Sequence, residues 1–459
     1  MKTIENNFSL TFLGGAGTVT GSKILIQTKD KTILIDCGLF QGLKELRKHN
    51  WEDFPIDPAS IDELILTHAH LDHCGYIPLL VKKGFKGSIH CTYPTKELAE
   101  IILLDSAKIQ EEDAERAGRY NYSKHQSPKP LYKITDVVIA MKQFTPHHLH
   151  EWVIIDDTLK FQLLNAGHIL GSSFVDLRIY EKKIVFSGDI GRKDPMLMYP
   201  PAKIEEADYI VLESTYGDRV HEIADVKSEL LKVINETYQN RGVLMIPSFA
   251  VERTQELIYL LYQLRLEDRL PKIPIYLDSP MGIHSSNVYN SYQDWQNISH
   301  YELSNMYSDV IFISNFEQSK ATVADKHPKI ILAGSGMMEG GRILHYMNQH
   351  IENEKNTLLF VGFQGEGTRG RAILEGSPEI KFFGEYRQVN CQIRSISSLS
   401  AHADQGEMLD WLKNFKKAPT KIFLNHGEPH QTDALRAKIE FEFNWAIEIP
   451  KLNQEYTLT

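Results

Sequence analysis

The stretch LTHAHLDHCG, residues 66–75, ends an apolar run and carries three histidines and an aspartate within six positions: His68, His70, Asp72 and His73. If the chain stays extended there, residues 68, 70 and 72 share one face, and His73 follows as a helix begins. Such a segment can offer ligands to two adjacent metal ions. Imidazole and carboxylate without thiolate suit zinc at a hydrolytic site, with manganese or iron as substitutes. An ordinary polar turn is the alternative.

Further polar residues follow other apolar strands of the sequence. They are Asp36 in LIDCG, His168 in NAGHILGS, Asp189 in FSGDIG, His402 in SAHAD and His426 in LNHGE. A single histidine at a strand end is more often a hydrogen-bonded structural residue, so none of these decides the question alone. The set favours the metal site, because α/β folds collect functional side chains at strand ends. Each residue also stands among small residues that let the backbone approach closely.

Length, charge and composition exclude several classes of protein. The 459 residues predict two or three compact units. No stretch approaches the roughly 20 apolar residues of a membrane span. The N-terminal residues lack the basic segment and long apolar run of a signal peptide, so we expect no membrane partner and a cytoplasmic location. The net charge of −10 argues against a surface coated in positive charge for binding nucleic acid, although a local basic groove remains open.

The pattern of apolar runs divides the chain into three segments. Residues 1–207 alternate short β-branched strands with turns, and their few helical patterns predict an αββα-like sandwich. Residues 208–390 alternate apolar strands with helices of ten or more residues, which is typical of a parallel, doubly wound sheet. The strand-rich pattern of the first segment returns over 391–459. We therefore expect an α/β protein in which one domain is inserted into another.

The order of the polar motifs resembles that of a known superfamily. LIDCG, THAHLDH, NAGH and SGD match the four motifs of the metallo-β-lactamase superfamily, and LEST, SAHAD and NHGE match motifs A, B and C of its β-CASP branch. The resemblance covers the whole chain and is strongest to the RNA-cleaving group that includes the endonuclease subunit of the cleavage and polyadenylation specificity factor. It implies a metallo-β-lactamase αββα sandwich with an inserted doubly wound β-CASP domain.

The resemblance also implies a role for each polar residue. One Zn²⁺ would be held by His68, His70, His168 and Asp189, and a second by Asp72, His73, His426 and the bridging Asp189. Four residues would serve catalysis: Asp72, also a ligand; Asp36, which would orient a ligand or the bridging water; His402, the general acid; and Glu213, its hydrogen-bond partner. Mn²⁺ or Fe²⁺ could replace zinc.

These features together predict a zinc-dependent ribonuclease in RNA processing or decay, an endonuclease that could also act as a 5′ exonuclease. A homodimer is compatible with the resemblance. One alternative is a DNA-acting β-CASP nuclease, but the DNA branch carries valine in motif C, so His426 favours RNA. The other is a small-molecule metallo-hydrolase, which would not require an inserted domain. A non-catalytic RNA-binding scaffold is disfavoured by the intact ligand set.

Three turns of the inserted domain could contact the RNA, which we expect to cross between the domains. They are PSFAVERTQE (247–256), SGMMEGGR (335–342) and QGEGTRGR (364–371). A helix that begins after a glycine turn can offer free N–H groups to a phosphate. The candidate residues are Ser248, Arg253, Thr254, Ser335, Gly336, Arg342, Thr368 and Arg369. Glycine turns before helices are also common in any doubly wound sheet, so a purely structural role is the alternative.

Overall fold

The structure, a computed structural model, describes residues 7–120, 129–221, 225–362, 364–396 and 399–459 of the chain. Backbone contacts divide the chain into two units. Unit 1 comprises Met1–Pro195, Tyr199–Val220 and His402–Thr459, and unit 2 comprises Met196–Met198 and His221–Ala401. No described helix is both long and apolar enough to cross a membrane.

The described part of unit 1 contains two seven-stranded sheets. The strands of the first, numbered along the chain, are β1 (Phe8–Gly14), β2 (Lys23–Gln27), β3 (Thr32–Ile35), β4 (Glu63–Ile65), β5 (Ser88–Thr92), β6 (Phe144–His147) and β22 (Gln454–Leu458). Their order across the sheet is β22-β1-β2-β3-β4-β5-β6. Strands β3 to β6 run parallel, so the carboxyl ends of β3 and β4 meet at one edge.

The second sheet of unit 1 mixes antiparallel and parallel pairs. Its strands are β7 (Val153–Ile154), β8 (Leu159–Asn165), β9 (Ser173–Ile179), β10 (Lys182–Phe186), β11 (Tyr209–Glu213), β20 (Lys421–Asn425) and β21 (Ile447–Glu448). Their order is β21-β20-β11-β10-β9-β8-β7. Strands β10, β11 and β20 are parallel neighbours, which brings the residues that follow them to the same edge.

The two sheets of unit 1 pack face to face over a shared apolar core. Phe12 of the first sheet meets Phe423 of the second at a ring-centroid distance of 5.5 Å, and both are buried. A second cluster packs helices on the outer face of the second sheet, through side chains such as Trp411 and Leu435. Because both of its faces are covered, β11 is buried at every residue. This confirms the predicted αββα sandwich.

Unit 2 is built on a parallel sheet, as its strand-then-helix pattern predicted. In its described part the sheet contains β12 (Val243–Pro247), β13 (Ile275–Asp278), β14 (Val310–Phe312), β15 (Lys329–Ala333), β16 (Thr357–Phe360) and β19 (Gln392–Ser395), and a separate hairpin contains β17 (Glu379–Phe382) and β18 (Glu385–Gln388). The strand order is β14-β13-β15-β12-β16-β19, with every pair parallel. The doubly wound inserted fold is thereby confirmed.

The helices lie between these strands along the chain. Those of unit 1 are α1 (Lys44–Lys48), α2 (Leu71–Cys74), α3 (Ile77–Lys82), α4 (Tyr93–Tyr120), α5 (Ile134–Ala140), α13 (Gln405–Leu412) and α14 (Pro429–Phe443). Those of unit 2 are α6 (Val226–Gln239), α7 (Arg253–Leu266), α8 (Pro280–Ser291), α9 (His300–Asn305), α10 (Phe316–Ala324), α11 (Ile343–His350) and α12 (Arg369–Leu374). Short 3₁₀ turns cover His49–Trp51, Pro58–Ser60, Met141–Gln143 and Gln293–Trp295.

Two strands lie in a different unit from the one that the sequence pattern predicted. The predicted boundary at 208 puts β11 in the inserted domain, whereas β11 pairs with β10 and β20 in unit 1. The predicted boundary at 391 puts β19 in the first domain, whereas β19 pairs with β16 in unit 2. An apolar strand has the same sequence pattern in either sheet, so only its pairing partners decide. By these contacts, the chain passes from unit 1 into unit 2 near residue 221 and returns to unit 1 near residue 402.

Candidate metal centre and catalytic histidine

The motif at 66–75 leaves strand β4 and turns into the short helix α2. Residues 66–70 have no regular structure, and α2 begins at Leu71. His68 and His70 therefore come from the extended segment, whereas Asp72 and His73 come from the helix. The change of backbone conformation separates the four side chains into two pairs, with different surroundings for each pair.

Two residues of the centre have left-handed backbones at strand ends. Asp36 follows β3 with a φ of 58°, and His426 follows β20 with a φ of 50°. This conformation is strained in residues other than glycine and persists only where the surrounding structure holds it. Asp36 is held by hydrogen bonds from the N–H and the hydroxyl of Thr67, at 2.8 and 3.0 Å. It also lies 2.7 Å from Nδ1 of His73, which fixes that imidazole.

Glycines let the loops of the centre touch backbone to backbone. A Cβ at Gly38 would lie 1.6 Å from the carbonyl oxygen of Asp72. A Cβ at Gly191 would lie 1.9 Å from the carbonyl oxygen of Gly167. Each glycine belongs to one of the quoted motifs and approaches the loop of another. The small residues at the strand ends are therefore required by packing, as the sequence indicated.

The first group of candidate ligands is made up of His68, His70, His168 and Asp189, and one atom of each residue faces a common point. Nδ1 of His70 lies 3.1 Å from Nε2 of His68 and 3.2 Å from Nε2 of His168. Oδ2 of Asp189 lies 3.4 and 3.6 Å from the same two Nε2 atoms. Ligand atoms about 2.0–2.1 Å from a tetrahedral zinc ion lie about 3.3–3.4 Å from one another. The spacing of this group fits a zinc ion at its centre.

The second group of candidate ligands is made up of Asp72, His73 and His426, and it also faces Asp189. Oδ1 of Asp189 lies 3.3 Å from Nε2 of His73 and 3.3 Å from Nδ1 of His426. Nε2 of His426 lies 3.4 Å from Oδ2 of Asp72. Since the two oxygens of Asp189 face different groups, this carboxylate could bridge two ions.

The chemistry of these atoms also fits a cation. Nε2 of His73, Nε2 of His426 and Oδ1 of Asp189 are buried and have no hydrogen-bond partner among the described residues. Buried polar atoms normally have a partner, and here metal ligation would provide it. The two groups offer imidazole and carboxylate without thiolate, which suits zinc. The residues present could therefore hold two zinc ions.

The pKa values of the first group suit metal binding. Burial lowers the pKa of His68 to about 3 and that of His70 to about 4, and burial followed by the neighbouring His402 lowers the pKa of His168 well below its usual value. These imidazoles are neutral at physiological pH, which is the form that ligates a metal. Burial opposes ionisation of Asp189, but the nearby His73 and His426 outweigh it and hold the pKa of Asp189 well below its usual value.

A second functional pair, His402 and Glu213, adjoins the ligand groups. Nδ1 of His402 lies 3.1 Å from both carboxylate oxygens of Glu213, and Glu213 also accepts a hydrogen bond of 2.6 Å from the N–H of Ile190. Burial disfavours the imidazolium, but the charge and hydrogen bond of Glu213 prevail and raise the pKa of His402 to about 9. His402 is therefore protonated at neutral pH.

Residues outside the predicted set hold His402 in position. Gly191 forms an antiparallel bridge with His402, directly after the Asp189 motif. The next residue, Arg192, donates from Nε to both carboxylate oxygens of Glu407 in α13, at 3.0 and 2.7 Å. Sequence reasoning missed Arg192 and Glu407. The sequence pattern closest to this contact is DxxE at 404–407. It predicts a capped helix start, but it does not identify Arg192 as the partner of Glu407.

The basic candidates of unit 2 have partners inside the fold. Arg253 forms a buried ion pair with Glu256 one turn along α7. Arg342 pairs with Asp278, which ends β13 and is fully buried. Arg369 donates to the carbonyl oxygen of Met338 at 3.2 Å and lies 3.6 Å from the carboxylate of Glu339. Each guanidinium thus has a structural role, and contact with RNA stays a prediction.

The remaining candidates of unit 2 lie at turns near strand ends. Ser248 follows β12 and hydrogen-bonds Thr254 at 3.0 Å. Ser335 and Gly336 follow β15, and Thr368 caps α12 by accepting from the N–H of Arg371 at 3.3 Å. The carboxyl ends of neighbouring parallel strands lie at one edge of a sheet, which is where such folds bind ligands. Their position agrees with a substrate site, while their hydrogen bonds serve the turns themselves.

Comparison with known families matches nearly the whole chain. Residues 17–235 match the model of the metallo-beta-lactamase superfamily, 254–373 match the Beta-Casp domain, and 386–450 match the Zn-dependent metallo-hydrolase RNA specificity domain. The three matches follow the same order as the motifs in the sequence.

Individual relatives are similar along most of their length. Ribonuclease TTHA0252 of Thermus thermophilus is 34% identical over 429 residues, which cover 92% of this chain and 94% of that protein. The RNase J-like protein of Methanocaldococcus jannaschii is 32% identical, covering 92% and 93%. Transcription termination factor FttA of the same organism is 31% identical, covering 91% and 67%. A crystal structure of a protein of unknown function from Enterococcus faecalis V583, at 11% identity and a TM-score of 0.55, covers 98% of the chain and supports the fold alone.

Proposed function

Since the chain belongs to the β-CASP RNA nuclease family of the metallo-β-lactamase superfamily, we propose that it is a zinc-dependent ribonuclease that hydrolyses RNA phosphodiester bonds. The observation that carries this proposal is the buried histidine and aspartate cluster with the His402–Glu213 pair beside it. The match of 386–450 to an RNA specificity domain favours RNA over DNA or a small molecule as substrate.

We assign the two ligand groups to two Zn²⁺ ions, and Asp189 would offer one carboxylate oxygen to each group. Bound zinc supplies Lewis acidity, which lowers the pKa of water and neutralises charge on a phosphate. Among the residues of this chain, Asp36 holds His73 by its Nδ1 and so presents Nε2 to the second site. Asp72 serves as a ligand and faces His426. Mn²⁺ or Fe²⁺ are acceptable substitutes for this donor set.

His402 is the proton donor of the proposed reaction. Hydrolysis of a phosphodiester leaves an alkoxide, which needs a proton as the bond to phosphorus breaks. Glu213 keeps His402 protonated and oriented through Nδ1, so that Nε2 delivers the proton to the leaving oxygen. Such general acid catalysis is typically worth 10²–10⁴ in rate. His402→Ala is therefore expected to keep its zinc and lose most of its activity.

Product mapping tests the proposed function. One RNA, labelled at either end and carrying a 5′-phosphate, 5′-triphosphate or 5′-hydroxyl, is incubated with the zinc-loaded protein, with EDTA, and with His402→Ala. We expect cleavage at internal positions that is lost with EDTA and in His402→Ala. We also expect removal of nucleotides from the 5′ end of the 5′-monophosphate substrate. A ladder of single nucleotides from every substrate would overturn the endonuclease assignment. Cleavage of matched DNA, a thioester or a β-lactam, with the RNA left intact, would overturn the substrate assignment.

The cellular setting belongs to the same proposal. A metal-dependent ribonuclease of this family fits RNA processing or decay in the cytoplasm. A homodimer is the proposed oligomer, and light scattering of the purified protein measures it directly. A monomer at working concentration would overturn the dimer without affecting the hydrolytic proposal, since all ligands of both groups belong to one chain.

A further inference from the structure

The hairpin of strands β17 and β18 in unit 2 is closed by an unusual residue. Phe382 pairs with Glu385, so the turn contains only Phe383 and Gly384, with φ angles of 51° and 95°. Positive φ at both central residues is the geometry of a type I′ turn, whose first position favours asparagine, aspartate or glycine. A bulky side chain at this position is a conformational outlier. Phenylalanine is therefore poorly suited to the turn that it forms.

Packing of the hairpin does not explain this phenylalanine. The neighbouring Phe382 is fully buried in the core of unit 2. Phe383 is 59% exposed, and Tyr386 on the next strand is 62% exposed. The residue thus carries both an unfavourable backbone and an exposed apolar ring. A strained backbone residue that does not stabilise the fold by packing supports a hypothesis of function.

The exposed ring is supported from one side. The Phe383 ring stacks on the imidazole of His345 in α11, with centroids 4.8 Å apart and planes inclined by 27°. A stacked pair fixes the plane of the outer ring. Because His345 covers one face, the exposed surface of Phe383 includes the opposite face. The arrangement presents a flat aromatic surface to solvent.

The hairpin that carries Phe383 also carries charged side chains. Nζ of Lys381 lies 5.5 Å from the ring centroid of Tyr386, and Lys381 forms no ion pair with any residue that the structure describes. An acidic residue of the same hairpin, Glu385, is paired with Arg387 at 2.8 Å. Surfaces that dock an apolar protein partner are contiguous apolar patches, and this one is not. Exposed aromatic rings interspersed with cations are the combination that binds single-stranded nucleic acid.

We propose that Phe383, supported by His345, is a stacking platform for an unpaired base of single-stranded RNA, with Lys381 beside the adjoining phosphate. The proposal deepens the ribonuclease function and rests on it. Each base stacked on an aromatic residue typically contributes enough to change affinity by about 5- to 150-fold. The platform is a binding element of unit 2, whereas the proposed metal ligands belong to unit 1.

The turn itself supplies a sharp test. Phe383→Asn places the preferred residue in the type I′ turn, so we expect an unchanged or higher melting temperature. With catalysis blocked by His402→Ala in both proteins, we expect Phe383→Asn to weaken binding of a single-stranded RNA about 10-fold. Phe383→Trp restores the affinity. The matched control is Phe316→Asn, which removes another exposed phenylalanine of unit 2, 67% exposed, and leaves the affinity unchanged.

Kinetics and fluorescence complete the experiment. In the active protein, Phe383→Asn raises KM for RNA and leaves kcat unchanged. Scanning 2-aminopurine along the RNA finds a position where wild type quenches its fluorescence and Phe383→Asn does not. Unchanged RNA affinity, or a loss of stability in Phe383→Asn, overturns the platform. Loss of self-association with unchanged RNA affinity also overturns it, in favour of a second copy of the chain as the occupant.

The two proposals fail in different ways. Hydrolysis of bis(p-nitrophenyl) phosphate, a diester without a nucleobase, measures the metal centre without base stacking. If wild type hydrolyses neither this diester nor RNA, the proposed ribonuclease function fails. If both substrates are hydrolysed and Phe383→Asn binds RNA like wild type, only the platform fails.

Discussion

Replacing Glu213 with glutamine removes the charge that keeps His402 protonated. Both carboxylate oxygens lie 3.1 Å from Nδ1, and Glu213 is foremost among the groups that raise the pKa of His402, against burial, to about 9. Glutamine has the same shape as glutamate and keeps an oxygen that can accept the hydrogen bond from the N–H of Ile190. Metal ions at the proposed sites would neutralise the smaller contributions of Asp189 and Asp72. We therefore expect the pKa to fall to the ordinary imidazole value of about 6.5 or below.

The size of the loss in kcat/KM follows from the fraction of His402 that is protonated at each pH. At pH 8 about nine tenths of His402 is protonated if its pKa is 9, but only about one thirtieth if its pKa is 6.5. Because a general acid is lost as pH rises through its pKa, the alkaline limb of kcat/KM moves to lower pH in Glu213→Gln. We expect about a 30-fold deficit at pH 8 and less than about twofold at pH 6.

The assay compares pH–rate profiles from about pH 5.5 to 9.5 on one RNA, with zinc content measured in both proteins. A substrate with sulfur at the leaving position provides the control, because a thiolate leaves without a proton. On that substrate we expect wild type and Glu213→Gln to react equally at pH 8. An alkaline limb that does not move, or an equal deficit on both substrates at normal zinc content, refutes the reasoning.

Three further predictions concern the centre and its support. Asp189→Ala is expected to lose both zinc ions, because its two oxygens face the two groups, and normal zinc by elemental analysis would contradict this. EDTA is expected to lower the melting temperature reversibly, because buried carboxylates such as Asp189 lose their counter-ions. An unchanged transition would count against metal at the site. Arg192→Lys is expected to lower kcat several-fold with zinc unchanged, since it loses the Nε that donates to both carboxylate oxygens of Glu407, and the sulfur substrate should restore the rate.

Much of the candidate centre is predictable because its residues occupy strand ends. His68, His168, Asp189 and His426 each follow an apolar run. The parallel strands β10, β11 and β20 bring Asp189 and His426 to one edge of the second sheet, and β8, antiparallel to β9 as β10 is, ends at the same edge before His168. His68 follows β4 of the first sheet. The short glycine loops between them leave few ways to arrange the side chains. The division of the 66–75 motif into two ligand pairs also follows from local sequence, through the start of α2 at Leu71.

Other features depend on contacts between distant residues and have no local pattern. Arg192 and Glu407 are 215 positions apart, and nothing near either residue identifies the other. Strand β11 is equally apolar whichever sheet contains it. The guanidinium of Arg342 suggests a phosphate site in sequence, yet it pairs with a buried aspartate 64 positions away. Pairing between distant charges therefore limits what charge patterns alone can predict about binding.

The proposed catalytic pair, Glu213 and His402, also lies where the chain leaves unit 1 and returns to it. Glu213 ends β11 shortly before the chain enters unit 2 at His221, and His402 is the first residue after its return. The contact between them spans 189 positions of the chain. Gly191 and Arg192 hold the returning segment by backbone and side chain. Because the residues directly before His402 belong to unit 2, the bridge with Gly191 holds the position of His402 within unit 1. The proposed general acid is therefore the part of the candidate centre most sensitive to changes at the ends of unit 2, whereas the proposed metal ligands all lie inside the segments of unit 1 and not at their ends.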